Sequence, residues 1–153
     1  MSSPHVNRLP FSGVLSLVDI PSDKPPSGAR GRRVQLTHGA AREALAGLVG
    51  MAVDCRASWD GHDARRKIGV IVLAYLDGKA IRVEGFLYAH DFPEVVEAIR
   101  AQELGMSYEL ADARVEDMRQ EVWKLTRVTF TGAAILLKEK AVYRLTSFKL
   151  EGE

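Results

Sequence analysis

The chain has 153 residues, 46% of them hydrophobic and 27% charged, with a formal net charge of +1. This length suits one domain with a substantial core, and the near-neutral charge gives no general electrostatic basis for binding nucleic acid or an anionic membrane. The single cysteine, Cys55, excludes an internal disulfide and a multi-cysteine zinc site. The N-terminal residues lack a secretory pattern, and the apolar run 68–76 is too short to span a bilayer. We therefore expect a soluble intracellular protein.

The N-terminal third alternates between extended and loop-like patterns. Residues 1–9 are predicted to be a flexible tail, followed by a first strand over 11–19 and a mobile loop over 20–33, which is rich in Pro, Gly, Ser and charge. A short strand at 33–36 leads to Thr37, which is expected to cap a helix reaching about residue 49. A strand at 51–55 and a polar loop at 56–66 complete this part.

The strongest local pattern lies at residues 67–88, where two β-branched runs flank Asp77-Gly78 and predict a tight hairpin. A helix follows, with Asp91 as its N-cap, Pro93 in its first turn and Glu94 at its third position. Residues 106–117 and 121–137 predict two strands, and residues 138–150 predict a short helix or turn with an extended end.

Helices do not alternate regularly with strands in this pattern, which argues against a doubly wound parallel sheet. The predicted fold class is α+β, with a mainly antiparallel β-barrel or sandwich core and two or three flanking helices. A single domain over 1–153 is expected.

A serine hydrolase needs a hydroxyl, a base within reach, a group that orients the base, and donors for the oxyanion. The segment "LGMSYEL" (104–110) supplies Ser107, but it lacks the second glycine of a nucleophile elbow, and on its own Ser107 is more typical of a strand residue. Of the four histidines, His62 is the candidate base because its loop directly precedes an apolar strand. Loop histidines are more often simply solvated, and His5, His38 and His90 have ordinary surface or tail interpretations.

A metal site is the less favoured interpretation of the same loop. Asp60, His62 and Asp63 lie close in sequence, and His90-Asp91 forms a second pair. Adjacent residues rarely both point at one ion, and no His-x-x-x-His spacing occurs, so no metal site is predicted. The basic stretches at 29–33 and 64–67 lack interleaved aromatic residues, so nucleic acid is not a predicted partner either.

Five segments, in this order, carry a family resemblance: "LPFSGVLS", "GHDARRKIGVI", "VEGFLYAHDFPEVVEAIR", "LGMSYEL" and "FTGAAILLKEKAVY". Together they resemble the prohead (head maturation) serine proteases of tailed phages and prophages, which are themselves distantly similar to the herpesvirus assemblin proteases. The resemblance spans about residues 9–150. It implies an assemblin-like fold and a serine endopeptidase without a cofactor, acting in the host cytoplasm within the assembling prohead.

The resemblance also implies roles for individual residues. Ser107 matches the nucleophile, and His62 matches the general base. Assemblin-like enzymes donate backbone amides to the oxyanion from the loop after the last catalytic strand. In this chain we expect that loop to be a turn at 131–134, with Gly132 and Ala133 as donors.

The third catalytic residue is where the chain departs from the family. Many relatives place an acidic residue on the strand matching "KLTRVTF", but this chain has Thr126, Arg127 and Thr129 there. Glu109 lies two residues after Ser107 and shares its face of a strand, so it is the predicted third member. The alternative carboxylates are Asp54, Asp63 and Glu121.

The implied substrates are phage scaffold protein and major capsid protein, with self-processing and a homodimer or higher homo-oligomer also implied. The loop at 21–33 is a candidate gate of the substrate groove or an internal cleavage site. Two alternatives stay open: a catalytically degenerate phage head-assembly protein of the same fold, which binds scaffold or capsid, and an unrelated β-barrel binding domain in which Ser107 is only a strand residue.

Overall fold

A computed structural model describes residues 5–151 of the chain, which form a curled mixed sheet with two α-helices. The strands are β1 (Leu9–Leu17), β2 (Arg33–Leu36), β3 (Ala52–Asp54), β4 (Lys67–Asp77), β5 (Ala80–Leu87), β6 (Leu104–Val115), β7 (Val122–Leu137) and β8 (Ser147–Leu150). The α-helices are α1 (His38–Ala44) and α2 (Pro93–Arg100), and short 3₁₀ helices cover Leu45–Leu48 and Lys138–Lys140. The predicted α+β class is confirmed.

The sheet is mixed, and the prediction of a mainly antiparallel core therefore needs a correction. The long strand β7 pairs on one edge with β2 and then β3, both parallel to it, and on its other edge with antiparallel β6. The remaining strands continue antiparallel from β3 in the order β4, β5, β1, β8. The helix α1 lies between β2 and β3 and forms a crossover connection. This connection lets both strands pair with the same edge of β7 in the same direction.

The sheet curls into a half-barrel, which brings β6 against β1 and β8. The Met106 amide donates a hydrogen bond to the Thr146 hydroxyl (3.1 Å), just before β8 begins. The concave side encloses a core that includes Phe11, Leu15, Ile71, Met106 and Ile135. The hydrophobic residues buried here supply the main driving force for the curled arrangement.

Two local predictions are confirmed with small shifts. The hairpin joins β4 to β5 through Gly78 and Lys79, with Asp77 paired to Ala80 and a positive φ of 58° at Gly78. Thr37 caps α1, because its hydroxyl accepts the Ala40 amide hydrogen at 3.2 Å. The helix α1 continues directly into the 3₁₀ helix Leu45–Leu48.

The predicted N-cap of the second helix is wrong. Phe92 occupies the cap position of α2, and Pro93 is its first helical residue. The Asp91 carboxylate instead accepts a hydrogen bond from the Asn7 side-chain amide (2.9 Å), while Asn7 Oδ1 accepts the amides of His90 and Asp91. Asn7, in the predicted tail, is therefore held to the loop before α2, while residues 1–4 of that tail lie outside the described part.

The predicted mobile loop, residues 20–33, is hydrogen-bonded to its surroundings. The Ser22 amide donates to the Val34 carbonyl (2.7 Å), and the Asp23 amide donates to the Val142 carbonyl (2.9 Å). The Asp23 carboxylate in turn accepts the Arg144 amide (2.8 Å). The loop therefore packs on the segment that follows β7. Among residues 5–151, no helix has the length and apolar character needed to cross a membrane.

Candidate functional site

Ser107 lies near the start of β6, opposite Ala134 of β7. Because side chains alternate along a strand, Ser107 and Glu109 share one face of β6, while buried Met106 points to the other. Gly105 has a packing reason: a Cβ at this position would collide with the Thr146 hydroxyl. The Gly-x-Ser sequence thus lets the segment before β8 approach the strand that carries Ser107.

His62 is held in place by two hydrogen bonds of its loop. The Trp59 carbonyl accepts the Leu137 amide (2.8 Å) at the end of β7. The Asp63 amide donates to Asp54 Oδ1 (2.9 Å) at the end of β3. These two anchors place the imidazole between the ends of the two strands.

The imidazole faces two carboxylates. His62 Nδ1 lies 3.0 Å from Glu109 Oε1 and 3.8 Å from Asp54 Oδ1. Asp54 is almost fully buried, with a side chain 2% exposed, whereas the Glu109 side chain is 46% exposed. Nδ1 is itself buried and receives no hydrogen bond from the described residues. The approach of Nδ1 to Glu109 Oε1 is therefore a close polar contact and not a hydrogen bond.

Ser107, His62 and Glu109 all line one cleft of about 940 Å³, and within it His62 and Glu109 are in direct contact. Its walls combine charged residues such as Arg56 and Lys140 with an apolar part that includes Leu15, Trp123 and Leu136. One side is formed by residues 25–29 of the proline-rich loop. The cleft therefore presents a hydroxyl, an imidazole and carboxylates on its walls.

Asp54, which the sequence predicts only as an alternative to Glu109, contacts both the imidazole of His62 and the backbone of its loop. Its sequence signal is weak, since it is one carboxylate at the end of the short apolar stretch "MAVDC". Its importance arises from the fold, because β3 ends where the loop of His62 turns back.

The other candidate carboxylates have local roles. Asp63 Oδ1 accepts the Arg65 amide (3.0 Å), and Asp60 Oδ1 accepts the Ser58 hydroxyl (2.6 Å). The Ser58 hydrogen bond lowers the pKa of Asp60. Glu121 is exposed just before β7, at the end of that strand remote from Leu137.

Gly132 and Ala133 do not lie in a turn, so that part of the prediction is wrong. Both belong to β7, where Gly132 pairs with Glu109, and Ala133 pairs with Tyr108 on one side and Val53 on the other. The local irregularity is a bulge, because the pairing skips Thr131. The role of Gly132 and Ala133 as oxyanion donors stays a prediction, although the loop from which it was inferred is a strand.

The strand segment that carries an acidic residue in the resembling family does not line the cleft of Ser107 at residues 127–130. Arg127 and Thr129 line a separate small depression with Glu43 and Gly47 beside α1. The carboxylates near the imidazole are therefore supplied by β3 and β6.

Cys55 is excluded as the nucleophile by its surroundings. Its side chain is fully buried, and burial raises the pKa of the thiol to about 11. The thiol therefore stays protonated at neutral pH, whereas a reactive cysteine needs its thiolate.

No protein-family model matches this chain, and no curated protein matches it either. The functional argument therefore depends on the residues of the cleft and on the resemblance described above.

Proposed function

We propose that the protein is a serine endopeptidase of the prohead maturation type, with an assemblin-like half-barrel and with scaffold and capsid protein as its substrates. The observation that carries the proposal is the contact of 3.0 Å between His62 Nδ1 and Glu109 Oε1 in the cleft that Ser107 also lines. The sequence resemblance implies roles for Ser107 and His62, and Glu109 is predicted separately because it shares a strand face with Ser107. The three residues come from one loop and one strand that are far apart in the chain.

The proposed roles follow from the two nitrogens of the imidazole. A carboxylate beside Nδ1 favours the tautomer with its proton on that atom, which leaves the Nε2 lone pair free to accept a proton. In the proposed reaction Ser107 Oγ attacks the scissile carbonyl carbon, and its proton passes to Nε2. The imidazolium then protonates the leaving amine as the C–N bond breaks, and water hydrolyses the acyl-enzyme by the reverse sequence of proton transfers.

The oxyanion donors are proposed to lie after β7 and not within it. Amides in a strand paired on both sides are directed towards its neighbours, which disfavours Gly132 and Ala133. The resemblance assigns this task to the loop after the last catalytic strand, and in this fold that loop begins at Lys138. Lys140 and Val142 from this segment line the cleft beside Ser107. The amides of Lys138 and Ala141 already donate to the carbonyls of Glu103 and Lys138 (both 3.2 Å). We therefore assign the donor role to the backbone amides of Glu139, Lys140 and Val142.

The cleft suits an extended peptide with large apolar side chains near the cut, because its walls carry Leu15, Trp123 and Leu136. The experiment incubates the chain with a proteome-derived peptide mixture and maps the new termini by mass spectrometry. Wild type should cut at sites enriched in apolar residues, and Ser107→Ala should not cut. Equal cutting by both proteins, or none by folded wild type, would contradict the proposal.

A further inference from the structure

We propose that Asp54, His62 and Glu109 also form a binding site for a divalent transition-metal ion, Zn²⁺ in particular, and that the bound ion blocks the protease. One ligand atom from each residue lies within 4.8 Å of the other two. Two carboxylates and an imidazole form a donor set that zinc accepts, with its remaining position left to water. The inhibitory consequence depends on the proposed function, whereas metal binding itself does not.

Two of the three ligand separations are close to those around a tetrahedral ion. Bonds of roughly 2.0–2.2 Å from zinc place any two ligand atoms about 3.3–3.6 Å apart. His62 Nδ1 lies 3.0 Å from Glu109 Oε1 and 3.8 Å from Asp54 Oδ1, so the observed separations bracket the required ones. The ligand atoms of Asp54 and Glu109 lie within 4.8 Å of each other, so an ion would have to draw the cluster together by up to about an ångström.

A second observation is the state of the imidazole nitrogen. Nδ1 is buried and lacks a hydrogen-bond partner among residues 5–151, although a carboxylate oxygen lies 3.0 Å away. Buried polar atoms are normally satisfied, and an unsatisfied one requires an explanation. An ion between Nδ1 and the two oxygens would displace the proton of the proposed tautomer from Nδ1 and bond to the lone pair that this exposes.

The charges and access also favour a cation. Two carboxylates give the cluster a formal charge of −2, which the Lys67 ammonium offsets in part, because its Nζ lies 3.9 Å from Asp54 Oδ2. Asp54 Oδ1 also accepts the Asp63 amide at 2.9 Å, which fixes its position without using both of its lone pairs. The Glu109 side chain is 46% exposed and lines the cleft, so an ion can reach its carboxylate from solvent.

Zinc at this position would inhibit by fixing the wrong tautomer. A neutral imidazole carries one proton, and coordination through Nδ1 forces that proton onto Nε2. Nε2 is the atom that must accept the Ser107 proton in the proposed reaction. A bound ion therefore removes the base without covering the serine.

The test titrates Zn²⁺ into Ser107→Ala by calorimetry, with the visible spectrum of Co²⁺ as a second readout of coordination. In this background, His62→Gln, Glu109→Gln and Asp54→Asn should each weaken zinc binding by at least about tenfold. The matched controls are Asp60→Asn, a carboxylate of the same cleft, and His90→Gln, on an exposed residue. Neither control should change the affinity. No saturable binding, or equal losses in controls and test variants, would overturn the metal site.

Fluorophosphonate labelling of wild type, with Zn²⁺ and then with a chelator, separates this inference from the proposed function. Labelling that zinc suppresses and chelator restores supports both. Zinc binding in a protein that never labels supports the metal site and contradicts the protease. Labelling with no zinc binding supports the protease and overturns the metal site, and zinc binding that leaves labelling unchanged overturns the inhibition.

Discussion

The carboxylate of Asp54, the last residue of β3, accepts the amide hydrogen of Asp63 at 2.9 Å. This hydrogen bond holds Asp63, the neighbour of His62, against the end of the strand. The same carboxylate lies 3.8 Å from His62 Nδ1. A single buried side chain therefore both shapes the loop of the candidate base and contributes charge beside it.

Asp54→Ala should destabilise the protein by about 1–3 kcal/mol, because it leaves the Asp63 amide without its acceptor. Asp54→Asn keeps an oxygen for that amide and should cost less. Urea unfolding of both variants measures the difference. Equal losses of unfolding free energy would show that the hydrogen bond does not hold this loop.

Glu109→Gln should slow fluorophosphonate labelling of Ser107 by roughly tenfold or more while changing the unfolding free energy by less than about 0.5 kcal/mol. The reason is that this partly exposed carboxylate contacts the imidazole and little else is expected to depend on it. Labelling rates of Glu109→Gln, Asp54→Asn and the double variant form a cycle. Because both carboxylates lie near Nδ1, their effects should not be additive. Strict additivity would contradict their shared action on His62.

Thr146→Val should destabilise the protein by about 1–3 kcal/mol, because this buried hydroxyl both accepts the Met106 amide and donates to the Tyr143 carbonyl. These bonds join the strand of Ser107 to the segment proposed to supply the oxyanion donors. Labelling should therefore also slow under conditions where the variant remains fully folded. Thr146→Ser, which keeps the hydroxyl, is the control and should retain most of the labelling rate. An unchanged rate in Thr146→Val would argue against the proposed donor segment.

Alkaline pH should weaken the fold. Burial raises the pKa of Cys55 from 9.0 to about 11, and that of Tyr108 from 10.0 to about 12 despite an opposing hydrogen bond to Ser16. Because the folded state holds both protons more tightly, their stabilising contribution is complete below pH 9 and declines as the pH rises towards 11 and 12. Unfolding free energy measured against pH should fall above pH 9. In Cys55→Ala the unfolding free energy should fall less between pH 9 and 11 than in wild type. The same pH dependence in both proteins would show that Cys55 does not contribute.

Local sequence signals predicted the elements whose causes are local. The hairpin around Gly78, the strand Arg33–Leu36 and the Thr37 cap each depend on a few neighbouring residues, and all three are present. Asp91 failed as a cap because Asn7, distant in sequence, engages its carboxylate.

The pairing of β7 and the position of Asp54 could not be predicted in the same way. Parallel pairing with β2 and β3 depends on how the intervening helix returns the chain to one edge. The turn expected at 131–134 reflected a real irregularity, but long-range pairing with β6 makes it a bulge within a strand. Asp54 lies beside His62 because the loop 55–66 folds back onto the end of β3, and this long-range contact leaves no local pattern in the sequence.

The measurement that tests the central claim most directly is fluorophosphonate labelling followed by intact mass, on metal-free wild type, Ser107→Ala and His62→Ala. The proteins should be shown to be folded and used at a concentration that permits dimers. We predict one adduct on wild type, none on Ser107→Ala, and labelling slowed by about a hundredfold or more in His62→Ala. Absence of labelling in folded wild type, or an unchanged rate in His62→Ala, would contradict the protease assignment and favour a non-catalytic head-assembly protein.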